Sequence, residues 1–157
     1  EISHWPVLST LADAGGTIYH QRGSHDSSHG VMEQVKERFA NGGRVAVFPE
    51  GGILPGDGVK RFHARMFKVA QETGCPVQPV MIRYLRDGEV DPDVTFLEGE
   101  NFLVNLIRLM GRPSSIAQIC FLEPFEPGDM PRRALCQRAE DKVRSAFDAP
   151  LAAMGPA

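Results

Sequence analysis

The apolar positions change their spacing from one stretch to the next, and the changes mark out elements. Residues 5–14 carry Val7, Leu8 and Leu11 on one helical face, with Pro6 in a tolerated first-turn position and Gly15 and Gly16 as a stop. Residues 17–21 form a short β-prone run around Ile18 and Tyr19, ended by Arg22 and Gly23. Ser24, Asp26, Ser27 and Ser28 offer N-caps for a helix to Ala40, on which Val31, Met32, Val35 and Phe39 recur at helical spacing before Asn41, Gly42 and Gly43. Residues 44–48 then predict a buried strand, since Val45, Ala46, Val47 and Phe48 run together and stop at Pro49. Strand, helix and strand in succession predict a right-handed crossover between parallel neighbours.

Beyond a glycine-rich loop, residues 61–73 predict a helix with Phe62, Met66, Phe67, Val69 and Ala70 inward, stopped by Gly74 and Pro76. Residues 77–84 predict a third strand, in which Pro79 lacks a ladder donor and so marks an edge or a bulge. Residues 85–92 are turn-rich and polar. Residues 102–110 predict a helix whose only charge is Arg108; its wide apolar face suits core burial by default, with a membrane surface or a missing N-terminal helix as alternative partners. A fourth strand over 116–125 and a charged amphipathic helix over 131–147 complete the pattern. The expected class is α/β: a single domain with a mixed, largely parallel sheet flanked by helices, occupying 1–148, and a tail at 149–157.

Candidate chemistry gathers around the loop. Pro49, Glu50, Gly51, Gly52, Pro55, Gly56, Asp57 and Gly58 form a segment built for unusual backbone angles. Glu50 stands at the C-terminal lip of a predicted inner strand, where open α/β sheets place ligand crevices; the plain alternative is a solvated turn acid. If strands 17–21 and 44–48 are parallel neighbours, Arg22 and Glu50 leave the same sheet edge, either flanking a crevice or pairing with each other. Lys60, Arg61, His63 and Arg65 open the next predicted helix, so basic groups and a helix N-terminus converge on the loop. That is either a phosphate environment or a solvated helix start.

Bulk properties narrow the choice. A net charge of −3 and a pI near 6.0 supply no basic field for nucleic acid. Cys75, Cys120 and Cys136 are far apart, which argues against a zinc site or a disulfide framework and for a reducing compartment. No apolar run approaches the roughly 18 residues of a membrane span, so membrane contact is expected to be peripheral or to run through a segment outside this chain. The opening residues 1–6 read as a cut through a domain. Gly-x-Ser-x-Gly is missing, and so is the Lys-Ser/Thr pair of a phosphate-binding P-loop, which weakens hydrolase and nucleotide-hydrolase readings. His25 and His29 are four apart, either metal ligands or a solvated helix start; no third ligand is evident and no metal is expected. Cys75 has no neighbouring base and is not expected to be a nucleophile.

Phe48-Pro49-Glu50-Gly51-Gly52 resembles the Phe-Pro-Glu-Gly-Thr block of the glycerolipid acyltransferases, a family that includes the 1-acylglycerol-3-phosphate and lysophospholipid acyltransferases. Residues 16–22, ending at Arg22, resemble the block ahead of it. Phe62-His63 resembles the Phe-Lys or Phe-His that follows it, and Cys75-Pro76-Val77-Gln78-Pro79-Val80 resembles the family's Val-Pro-Val-x-Pro-Val. Order and spacing agree over about residues 1–84. Two departures stand out: Gly52 replaces the usual Thr, and no histidine here is followed five residues later by aspartate. The resemblance therefore places the catalytic His-x4-Asp pair upstream of Glu1, with no catalytic residue in this chain, and the chain alone is expected to be inactive.

The resemblance implies transfer of a fatty acyl chain from acyl-CoA or acyl-carrier protein to a lysophosphatidic acid or related lysolipid, glycerol phosphates and amino-acid lipids included. It implies that Arg22 binds the acceptor's phosphate, that Glu50, Gly51 and Gly52 position its hydroxyls, and that Lys60, Arg61 and His63 lie in the same substrate site. No cofactor is implied beyond the acyl-bearing co-substrate. The implied location is the cytoplasmic face of a membrane, peripheral or anchored elsewhere. A non-catalytic lipid- or phosphate-binding module on the same fold is the competing reading, and an unrelated α/β nucleotide binder a third.

Overall fold

The computed structural model describes residues 9–10, 14–18, 25–52 and 58–150, apart from the side chains of 25–29 and 31. The chain divides into two compact units, Glu1–Ala46 and Val47–Ala157. In the first, helix α1 (His25–Ala40) buries Val35 and half-buries Met32 and Phe39, the face set by their spacing. It ends as a glycine-stopped helix should. Gly42 donates to the Phe39 carbonyl (2.9 Å) and Gly43 to that of Arg38 (2.8 Å), with Gly42 in the left-handed region at φ 72°. Of the two elements predicted ahead of it, Ser9, Thr10 and Ala14 are helical, whereas Thr17 and Ile18 have no regular structure. The remainder of both, Arg22, and the side chains of His25 and His29 lie outside the described residues.

The second unit is α/β, but its sheet is antiparallel throughout. Strand β1 (Val80–Arg86) lies between β2 (Glu89–Val90) and β3 (Ile116–Phe121). The β1–β2 hairpin turns on Asp87 (φ 54°) and Gly88 (φ 84°), the two positive angles that a two-residue turn between right-twisted strands demands. β3 pairs with β1 from Val80 opposite Phe121 to Leu85 opposite Ile116. Val77 and Phe125 extend the contact through a bridge with two 2.9 Å bonds. Pro79 was expected to mark an edge or a bulge: β1 is central and starts just after the proline, and between the Val77–Phe125 bridge and the Val80–Phe121 pair two residues face three, the offset of a bulge, so the missing donor falls outside the ladder.

The expected parallel strand over residues 44–48 is not in a strand among the described residues, and Val47 and Phe48 are 51% and 78% exposed. An apolar run records a preference, whereas a strand needs a partner's backbone, and the predicted partner lies mostly outside the described residues.

Alternation along β1 sends Met81 and Arg83 inward. They meet helix α4 (Arg132–Asp148), whose buried stripe is Leu135, Cys136, Ala139 and Val143. Phe62, Phe67 and Phe125 fill out the core, the first two with stacked rings 6.5 Å apart. Met81 and Leu135 are fully buried, each worth about 1.5–3 kcal/mol of apolar transfer. Arg83 is accommodated because its guanidinium closes the end of α4: Nη1 donates to the carbonyls of Phe147 and Ala149 (both 3.1 Å) and Nε to Gln118 Oε1 (2.6 Å).

Helix α3 (Phe102–Met110) has the predicted bounds, started by Asn101 Oδ1 accepting the Val104 N–H at 3.0 Å. Core burial of its apolar face is not found. Leu103, Val104, Ile107 and Met110 are exposed, and the helix is held instead through its polar side by Asn105 and Arg108. No helix among the described residues is long and apolar enough to cross a membrane.

Candidate functional site

The loop after Phe48 is latched at both ends by backbone bonds. The Gly51 N–H donates to the Phe48 carbonyl (3.3 Å), closing a tight turn over Pro49 and Glu50 with Gly51 at φ 70°. Glu50 then folds back across the loop: its Oε2 accepts the Lys60 N–H, ten residues on, at 2.9 Å. The His63 N–H donates to the Pro49 carbonyl at 2.8 Å. The His63 ring lies so close to Gly51 that a Cβ there would stand 2.6 Å from its Cδ2 and 2.7 Å from its Nε2, so any larger residue would have to displace the ring as well as hold the left-handed φ of 70°. Glu50, Gly51, Lys60 and His63 are therefore drawn together by these bonds.

Their arrangement differs from the prediction in one respect. Residues 61–63 are not the first turn of a helix; they have no regular structure, with His63 extended at φ −88° and ψ 109°, and the chain turns helical only in a 3₁₀ stretch (Ala64–Phe67) that leads into α2 (Lys68–Thr73). The N–H groups a helix would leave to water are already engaged, that of Phe62 by Glu140 Oε2 (2.9 Å) and that of His63 by Pro49. Neighbours alternate there: Phe62 enters the core, while Arg61 and His63 stay exposed. No helix N-terminus therefore faces the loop at Lys60.

Arg61 is placed near α4, where its charge acts favourably on Glu140 and Cys136. Gly52 is exposed, and a Cβ added to it meets nothing within 4 Å, so the position that carries Thr in the resembling block has room for that side chain. Among the described residues Glu50 makes no ion pair. Arg22, and with it the expected crevice opposite Glu50, lies outside the described residues.

Sequence reasoning missed Glu140. Burial opposes its ionisation most strongly, yet the Phe62 N–H and the Arg144 guanidinium (2.9 Å) together hold its carboxyl below the usual range. Beside it, burial and then the Glu140 charge push the Cys136 thiol up, and Cys136 Sγ donates to the Phe62 carbonyl at 3.5 Å. The available signal was an acid lying at helical spacing among Leu135, Ala139 and Val143.

A second polar cluster, also missed, ties the hairpin to α3. Asp91, buried, accepts from Arg112 Nη1 (2.5 Å), and Asp93 from Arg86 Nη2 (2.7 Å). Arg108 grips Glu100 with Nε (2.6 Å) and Nη2 (2.8 Å) and reaches the carbonyls of Asp93 and Thr95. The Arg108 guanidinium first, then the Leu97 N–H, pull the Glu100 carboxyl down to about 2.

The family model described as Acyltransferase matches residues 1–83, which takes in the whole latch. The chain belongs to the acyltransferase family. Among curated proteins it is 34% identical over 147 residues to a lyso-ornithine lipid O-acyltransferase of Pseudomonas aeruginosa, covering 94% of this chain and 57% of that one. It is 27% identical over 157 residues to a 1-acyl-sn-glycerol-3-phosphate acyltransferase of Neisseria gonorrhoeae, covering 97% and 61%. A lysophospholipid acyltransferase of Homo sapiens is 30% identical over 125 residues, covering 78% of this chain and 23% of that protein. The chain thus spans 57% and 61% of the length of the two bacterial relatives. No solved structure matches it at a significant level.

Proposed function

We propose that the protein is an O-acyltransferase that moves a fatty acyl chain from acyl-CoA or acyl-carrier protein to a hydroxyl of a lysolipid. The reading is carried by the coincidence of the family match with the stretch in which Glu50, Gly51, Lys60 and His63 are latched together. Exchanging a thioester for an ester is neither redox nor metal chemistry, so the acyl-bearing co-substrate is the only cofactor assigned. An alcohol becomes a competent nucleophile when a positioned base takes its proton; that base is assigned to the His-x4-Asp pair outside these 157 residues.

Within the chain the roles are binding and orientation. Arg22 takes the acceptor's anionic group, Glu50 with Gly51 and Gly52 orients its hydroxyls, and Lys60, Arg61 and His63 line the same substrate site. A guanidinium suits both chemistries that the relatives' names span, a glycerol phosphate and the carboxylate of ornithine. We further infer that residues 44–48 become a parallel inner strand of a larger sheet in a domain over 1–148 with a tail at 149–157. Contact with a membrane surface on its cytoplasmic face is inferred to be peripheral or through a segment elsewhere in the protein, and the exposed Leu103, Val104, Ile107 and Met110 of α3 support such contact.

The test is an acyl-transfer assay of the full-length protein on lyso-ornithine lipid, 1-acylglycerol-3-phosphate and lysophosphatidylcholine, each with CoA and carrier-protein donors. Transfer to at least one acceptor is expected. Arg22→Ala should raise KM for that acceptor roughly tenfold to a hundredfold, the loss of about 1.5–3 kcal/mol of charged hydrogen bonding. Acceptor binding without transfer would instead support a non-catalytic module.

A further inference from the structure

Resting on the acyltransferase reading, we infer that Glu140 is a positioning residue for the substrate loop, acting from α4 through the backbone of Phe62. Cys136, Glu140 and Arg144 succeed one another at four-residue spacing on one face of α4. The first two take hold of both polar groups of a single residue: Glu140 Oε2 accepts the Phe62 N–H at 2.9 Å, and Cys136 Sγ donates to the Phe62 carbonyl at 3.5 Å. Arg144 occupies the other oxygen, donating to Glu140 Oε1 at 2.9 Å. The grip reaches the loop in two steps, because Lys60 and His63 flank Phe62 and their N–H groups end on Glu50 Oε2 and the Pro49 carbonyl. The two parts are 78 residues apart in sequence, so the loop's geometry depends on a helix that the family match at 1–83 does not reach.

Packing alone would not call for a carboxylate here. Glu140 is 8% exposed within an apolar stripe, where a leucine or methionine would fill the space without the expense of desolvating a charge. What the carboxylate adds is direction: an acceptor aimed at one N–H, fixed from behind by a guanidinium. Displacing that N–H moves Lys60 and His63 together against Glu50 and Gly51, and small displacements in a binding constellation are amplified in turnover.

Comparing Glu140→Ala with Val143→Ala in the full-length protein tests the inference. Val143 lies one turn along the same core stripe, 7% exposed, and its side chain has no hydrogen-bonding group, so its truncation serves as a stability control. E140A is expected to lower kcat/KM for the lysolipid by roughly 10- to 100-fold at equal folded fraction, V143A to leave it unchanged, and Glu140→Gln, which keeps an oxygen for Phe62, to restore most of the loss. The amides of Lys60 and His63 should exchange faster in E140A than in V143A, and this readout needs no activity. Should E140A not fold, Glu140→Asp, whose shorter reach abandons Phe62 while keeping the charge, is expected to show the same faster exchange. Equal kinetic losses in E140A and V143A, or unchanged protection at Lys60 and His63, would overturn the positioning role. A wild-type protein with no transfer to any acceptor would overturn the acyltransferase reading while leaving the exchange comparison to decide the role of Glu140.

Discussion

Two regions of the second unit use buried or half-buried carboxylates to fix non-regular backbone, and they differ in how much of the hold arginines share. At the loop, Glu50 and Glu140 each accept a backbone N–H, those of Lys60 and Phe62, and the chain they hold is the chain that lines the candidate site. At the hairpin, Asp91 and Glu100 also accept backbone N–H groups, those of Asp93 and Leu97, but there Asp91, Asp93 and Glu100 face arginines that carry the hold further, to the carbonyls of Asp93 and Thr95. Removing Glu50 strands a neutral N–H, and removing Glu140 adds only Arg144, whose side chain is 44% exposed, whereas removing Asp91 strands the mostly buried Arg112 as well as the Asp93 N–H. The second loss is the graver for stability and the first the graver for geometry.

The sharpest way to break this contrast is Asp91→Ala. The Asp91 side chain is 1% exposed, and Arg112, itself 14% exposed, would be left without its closest partner. A loss of about 3 kcal/mol or more is expected from urea unfolding with the m-value unchanged, since breaking a buried pair leaves an uncompensated charge. Protection of the Lys60 and His63 amides should be unaffected below the unfolding transition. If those amides open with the hairpin, the two regions are one cooperative unit and the contrast fails.

Gly51→Ala probes the other side. An L-residue held at φ 70° costs about 1–2 kcal/mol, and the new Cβ would displace the His63 ring. The thermal midpoint should therefore fall less than in D91A, yet acceptor KM should rise in G51A and stay constant in D91A. Equal KM values in the two variants would show that the latch does not shape the acceptor site.

The same contrast explains what the sequence disclosed. Helix α3 was legible to its bounds because its signals are local, a mostly apolar run, interrupted by Asn105 and Arg108, between Gly99 and Gly111, and α4 was legible to within a residue. That Glu50, Gly51, Lys60 and His63 lie together was legible because they sit at the two ends of one short loop. What could not be read was anything decided by a distant partner. The non-helical chain at 61–63 is held by Glu140, 78 residues away from Phe62, and the strand pairing that would cover Phe48 is not among the described residues. The antiparallel hairpin belongs to neither group: Asp87-Gly88 is a strong local turn signal within the turn-rich stretch 85–92, but a β2 of only two residues, Glu89 and Val90, leaves no strand pattern beyond it.

The mildest test is acid. Glu100 is held down to about 2 by Arg108 and the Leu97 N–H, against an ordinary 4.5, so above pH 4.5 it is ionised folded or unfolded and its contribution is complete. As the pH falls from 4.5 toward 2 the unfolded chain takes up the proton first, and stability must decline with it; below 2 both forms are protonated and nothing further is lost. Asp93, lowered by its bond to Arg86, acts in the same direction from the same cluster. Glu140 is also lowered, but there burial works against the shift and the loop should respond more weakly. Amide exchange of α3, corrected for the intrinsic rate, is thus expected to lose protection across pH 4.5 to 2 more steeply than α4, and Glu100→Gln should flatten the α3 profile while leaving α4 as it was. A flat α3 profile in the wild type would mean that the arginine grip on Glu100 holds no more tightly in the folded chain than in the unfolded one.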